Sequence, residues 1–178
     1  MNHALKIGGL LAALAIGGVA LDNLVQNNLA RKYETLRQTA HEIGFQNYGV
    51  SSGPMFVQGD HDCGVCILVS PTETWTSHFG FKFSMPEKAD RDTSYVNDMI
   101  SSAKERPAEA YLIGGDERYL DRLKRALISA SMRPKVLYCD NVRADGLYNQ
   151  KNEKDIIISP EERRIIIKKE GRYKEIKY

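Results

Sequence analysis

Cys63 and His78 are the residues whose types and spacing point most directly to chemistry: a thiol and an imidazole fifteen residues apart, across what reads as a tight β-hairpin. A cysteine at its ordinary pKa is only slightly ionised at neutral pH, and an adjacent imidazole both favours the thiolate and accepts its proton. The pair makes a cysteine hydrolase the first functional expectation. The same residues also have a structural reading, because free cysteines are among the most buried side chains and a strand histidine is commonly a hydrogen-bonded core residue. The separation of the two side chains decides between the readings.

The elements that must position the pair follow from hydrophobic pattern. Val65 to Val69 is a continuous apolar run that reads as a buried strand, Pro71-Thr72-Glu73-Thr74 as its turn, and Trp75 to Ser84 as the return strand, closed by Pro86. Short strands are expected at Tyr48 to Ser51 and Met55 to Gln58. Asp92, Thr93 or Ser94 can cap a helix that carries Val96, Met99, Ile100 and Ala103 on one face and stops at Pro107. Ala110 to Ile113 reads as a strand stopped by Gly114-Gly115, and Asp116 can cap a second helix with Tyr119, Leu120, Leu123, Leu127 and Ala130 as its inner stripe. Val136 to Cys139 gives another strand, and Asp155 to Ile158 with Ile165 to Lys168 form a terminal hairpin turned by Pro160-Glu161-Glu162. Strands before, between and after two helices predict an α+β domain of layered mixed sheets flanked by helices, over residues 46–178.

Ahead of that domain, Ile7 to Leu21 carries no charged or polar side chain, and the apolar stretch reaches Ala4 and Val25 if Lys6 snorkels and Asp22 sits at an interface. Residues 1–25 are therefore expected to form an N-terminal transmembrane helix. The alternatives are a cleaved signal peptide ending at Gly18-Val19-Ala20, or a buried hydrophobic helix. Gly9, Ala13 and Gly17 would form a small-residue stripe along one face. Val25, Leu29, Tyr33, Leu36, Ala40 and Ile43 continue at helical spacing to Gly44, which predicts a helical stalk over 26–45 that packs on the domain. Only Lys6 precedes the apolar segment, whereas Arg31, Lys32 and Arg37 follow it, so a single-pass anchor would leave the globular part in the cytoplasm.

With 178 residues and a formal charge of +2, the chain can bury a core without disulfide staples. Acids are interspersed with the basic residues, including from Arg163 to Lys177, which argues against nucleic-acid binding. Three cysteines, Cys63, Cys66 and Cys139, do not suit a secreted disulfide framework. Cys63-Gly64-Val65-Cys66 is a C-x-x-C, but β-type residues follow it where a dithiol oxidoreductase requires a helix. His61, Cys63 and Cys66, with His78 or Cys139 as a fourth ligand, offer a zinc alternative. Strand alternation sends Cys63 and Cys66 to opposite faces unless the backbone bends at Gly64.

From about Phe56 to Lys169 the order of these elements resembles the CheD family of chemoreceptor glutamine deamidases and, more distantly, the catalytic domains of cytotoxic necrotizing factor and related toxins. The matching pieces are the cysteine-bearing strand with Pro71 at its turn, Ser84-Met85-Pro86, the apolar-Gly-Gly strand end Tyr111-Leu112-Ile113-Gly114-Gly115, the helix after it, and the closing hairpin. In the toxin branch the nucleophile and histidine are likewise fifteen residues apart. The resemblance implies a protein-glutamine glutaminase without a cofactor, in which Cys63 attacks a glutamine side chain of a receptor or other signalling protein in chemotaxis and His78 serves as acid and base. It also assigns Val57 to the site, at the position where CheD proteins carry a threonine, with its backbone carbonyl orienting His78. His61-Asp62 replaces the family's small residue before the cysteine, and this departure supports a further alternative, a catalytically inactive CheD-like binding module.

Overall fold

Two isoleucine runs, Ile156-Ile157-Ile158 and Ile165-Ile166-Ile167, are buried at every position, so both faces of their strands must be covered. The computed structural model, which describes residues 2–44, 47–59, 64–79, 86–114, 117–138 and 154–178, covers them with a helix on one side and a second sheet on the other. In chain order the elements are α1 (Asn2–Thr39), β1 (His41–Glu42), β2 (Asn47–Ser51), β3 (Met55–Gly59), β4 (Gly64–Val69), β5 (Thr74–Phe79), α2 (Pro86–Ser102), β6 (Glu109–Gly114), α3 (Glu117–Ser129), β7 (Pro134–Tyr138), β8 (Lys154–Ser159), β9 (Arg164–Lys169) and β10 (Arg172–Lys177). Among the described residues they form an α+β arrangement of three helices and two mixed sheets, ordered β1-β3-β8-β9-β10 and β2-β5-β4-β6-β7. The parallel pairs are β1 with β3 and β6 with β7.

Strand alternation assigns the faces. Val57, Ile156, Ile158, Ile165 and Ile167 of the first sheet meet Val65, Ile67, Tyr111 and Ile113 of the second in one apolar layer. The outer face of the first sheet, with Phe56, Ile157 and Ile166, is covered by Tyr33 and Leu36 of α1. The outer face of the second, with Cys66, Leu68, Trp75 and Leu112, is covered by Val96 and Met99 of α2 and Leu120, Leu123 and Leu127 of α3. The order of layers is therefore helix, sheet, sheet, helices. Gly49 of β2 makes room for the Ile43 side chain just after β1: a Cβ there would lie 2.5 Å from Ile43 Cδ1.

Several boundaries differ from the sequence expectation. Helix α1 stops at Thr39, and Ile43 enters the inter-sheet layer, donating its N–H to Phe56 O at 2.8 Å. Strand β5 is described only to Phe79, and Pro86 opens α2, where its missing N–H costs nothing in the first turn. The closing hairpin is a three-stranded meander, because Glu170 and Gly171, at φ 51° and 74°, turn β9 into β10. Ser131, at φ 59°, ends α3 with Met132 N–H reaching Leu127 O at 2.9 Å, a position where glycine is usual.

The transmembrane helix expected over residues 1–25 is corrected: among the described residues no helix is long and apolar enough to cross a membrane. Ile7 to Leu21 is fifteen residues, short of the roughly 20 a bilayer core requires. The flank that was to lie at an interface is tied to protein instead. Asp22 pairs with Arg172 at 2.8 Å, and the Gln26 amide brackets Tyr173 of β10, donating to its C=O at 3.1 Å and accepting from its N–H at 2.8 Å. With the span goes the single-pass orientation argued from Lys6 against Arg31, Lys32 and Arg37.

At the far end of the inter-sheet layer, Arg163 of the β8–β9 turn donates from Nη2 to both oxygens of Glu109 at 2.9 Å and from Nε to Tyr178 O at 2.8 Å. Tyr111 hydroxyl donates to the same carboxylate. These bonds, the tyrosine's first and the arginine's second, hold the Glu109 carboxyl below the usual range. A depressed carboxyl contributes stability above its unfolded pKa and loses it as pH falls through the folded value. Because the pair is 48% and 38% exposed, Glu109→Gln is expected to cost under about 1 kcal/mol at pH 7. Denaturant titrations should show that difference disappearing below about pH 4; a pH-independent difference would contradict the assignment.

Candidate functional site

His78 sits in β5 directly opposite Val65 of β4 and Asn47 of β2. Residues directly opposed across an antiparallel pair project to the same face, so the imidazole shares the inter-sheet face with Val65, Ile67 and Thr76. It is 3% exposed, and both ring nitrogens are sealed from solvent. The neighbouring residues Ser77 and Phe79 project to the helix-covered face, where Ser77 Oγ donates to Cys66 O at 3.3 Å. A rigid strand therefore presents His78 to an apolar, water-poor layer.

Val57 reaches that layer from the other sheet. It lies opposite Ile156 in the β3–β8 pair and packs in the same apolar cluster as Val65, the cross-strand neighbour of His78. Cys63 lies outside the described residues, as do His61, Asp62 and Cys139. Gly64, bonded covalently to Cys63, is paired with Phe79, the residue after His78.

One residue at this end escaped the sequence reading. Lys154 begins β8, is 1% exposed, and lies opposite Gly59 at the close of β3 and opposite Lys169 of β9. It alternates with Ile156 and Ile158 and so faces the inter-sheet layer. Only four residues separate Gly59 from Gly64, which places Lys154 and His78 at the same end of the sandwich. The one available signal was its period-two spacing with Ile156 and Ile158, which a lysine at a strand start does not advertise.

Cys66 is on the opposite face of the hairpin from His78, among Leu68, Trp75 and Met99 beneath the helices. The two cannot share a metal ion without breaking the strand, so a zinc set containing both is excluded. Among the described residues no three His, Cys, Asp or Glu side chains group to hold a metal. Burial alone pushes the Cys66 thiol up to about 12. No protein-family model and no curated protein matches the chain.

These positions predict selective thiol chemistry. In native protein at pH 8, Cys66 should resist iodoacetamide for as long as the fold persists and react at the rate of a free thiol once denaturant is added. Peptide-resolved mass spectrometry reads this directly; rapid native labelling of Cys66 would contradict its placement. Cys66→Ser should cost about 1–3 kcal/mol from the buried hydroxyl.

Proposed function

We propose that the protein is a cysteine hydrolase of the protein-glutamine glutaminase type, with Cys63 as nucleophile and His78 as acid and base. The observation that carries the reading is the position of His78: buried on the inter-sheet face, on a rigid strand, and paired with the residue two places after Cys63. A thiolate formed by proton transfer to His78 attacks the side-chain carbonyl carbon of a glutamine on a protein partner. The tetrahedral intermediate expels ammonia with the proton returned by His78, leaving a thioester. Water, deprotonated by His78, hydrolyses the thioester to glutamate and regenerates the thiol. Lys154 brings a second basic side chain to the same end of the layer as His78. At Val57 the family's threonine would add a hydroxyl to the layer that contains His78.

The near-complete burial of His78 favours a second reading, a binding module of the same architecture that engages a signalling protein without turnover. Ammonia release from a glutamine-bearing partner separates the two. Under the hydrolase reading Cys63→Ser abolishes release, His78→Ala lowers it by about 10²–10⁴-fold, the usual contribution of a general base, and Cys66→Ser leaves it within a few-fold. Partner binding without ammonia release by the unmutated protein would select the binding module.

A further inference from the structure

Helix α1 is held to the first sheet mainly by polar contacts. From Val19 to Thr39 only Tyr33 is buried and Leu36 is partly so, whereas α2 buries Val96 and Met99 and α3 buries Leu120, Leu123 and Leu127. The other ties of α1 are ionic or hydrogen-bonded: Asp22 to Arg172 at 2.8 Å, the Gln26 amide to the Tyr173 backbone, Lys32 Nζ to Glu162 at 2.5 Å and to Glu175 at 3.5 Å, and Tyr33 hydroxyl to Asp155 at 3.1 Å. The Arg37 guanidinium lies 3.5 Å from the centre of the Phe56 ring. Ion pairs at a protein surface each contribute little and are screened by salt.

What α1 covers is separate from the rest of the core. Phe56, Ile157 and Ile166 cluster with Tyr33 on the outer face of the first sheet. Neither of the two larger clusters contains a residue of α1, and the strands of both sheets pair without it. Just beyond the helix, Ile43 is buried in the inter-sheet layer with its N–H bonded to Phe56 O at 2.8 Å, so the chain is anchored where the helix ends. An element with few buried apolar side chains and many exposed polar ties opens with less free energy than the whole domain.

We propose that α1 is a releasable strap: the segment from Asp22 to Thr39 leaves the first sheet as a unit while the sandwich stays folded, and uncovers Phe56, Ile157 and Ile166. Raised ionic strength favours release by weakening the ion pairs. The strap grips β3 and β8, the strands that also carry Val57 and Lys154 into the layer with His78. Exposure of the covered face is read without turnover, so the glutaminase reading can fail while the strap stands.

In the full chain, Ile157→Cys places a thiol beneath α1, while Cys66, in the core under α2 and α3, reports opening of the domain itself. Under native conditions the introduced thiol should be alkylated about tenfold faster than Cys66 or more, as read on separate peptides by mass spectrometry. Asp22→Ala with Lys32→Ala removes the ion pairs to Arg172, Glu162 and Glu175 and should raise the rate at position 157 severalfold with that of Cys66 unchanged. Adding about 0.5 M NaCl should act in the same direction. Ile166→Cys, opposite Ile157 in the β8–β9 pair, should repeat the pattern and so exclude a local defect of one variant. Labelling at positions 157 and 166 in step with Cys66, or rates at both that neither the double alanine variant nor salt changes, would overturn the proposal.

Discussion

The β4–β5 hairpin has no wet face: Val65 and Ile67 press on the first sheet while Cys66 and Leu68 press on α2 and α3. Everything proposed for the site depends on this double burial. Because side chains alternate along a strand, the hairpin sorts its polar groups between two separate interiors. Thr76 and His78 go to the inter-sheet layer, and Ser77 goes with Cys66 to the helix side. The strand holds the imidazole on that face, with both ring nitrogens buried. The same packing that raises the Cys66 thiol to about 12 leaves that cysteine without nucleophilic use.

The two ends of the sandwich are specialised differently. At one, Arg163, Glu109 and Tyr111 join the β8–β9 turn to the start of β6 through charge-assisted bonds. At the other, the sheets bring Lys154 and His78 to the same end, where β3 closes at Gly59 and β4 opens at Gly64.

Much of the architecture was legible because strands buried on both faces have few alternatives. Val65 to Val69, Ala110 to Ile113 and the isoleucine runs are continuous apolar segments bounded by turn residues, and each is a strand. Strand β10 was missed because Arg172 to Lys177 alternates charge with only partly buried residues, although Glu170-Gly171 is a hairpin signal. Helix α2 begins at Pro86, ahead of the caps expected at Asp92 to Ser94, because a proline that closes a strand can also open a helix. The N-terminal error has a plain cause: fifteen apolar residues were extended across Lys6 and Asp22, and nothing local in the sequence shows that Asp22 has Arg172 as a partner 150 positions away. Near the candidate site, the β4–β5 hairpin that sets His78 opposite Val65 follows from the apolar run and its turn. Lys154 does not, since its burial arises only when β3 lies beside β8.

The proposed chemistry requires His78 to activate Cys63. Its most direct test is the pH profile of Cys63 alkylation, followed on the Cys63 peptide in unmutated and His78→Ala protein. The expected result is a midpoint well below the ordinary thiol value of about 8.5 in the unmutated chain and an upward move on removal of the imidazole. Profiles that coincide at or above the ordinary thiol value would contradict it.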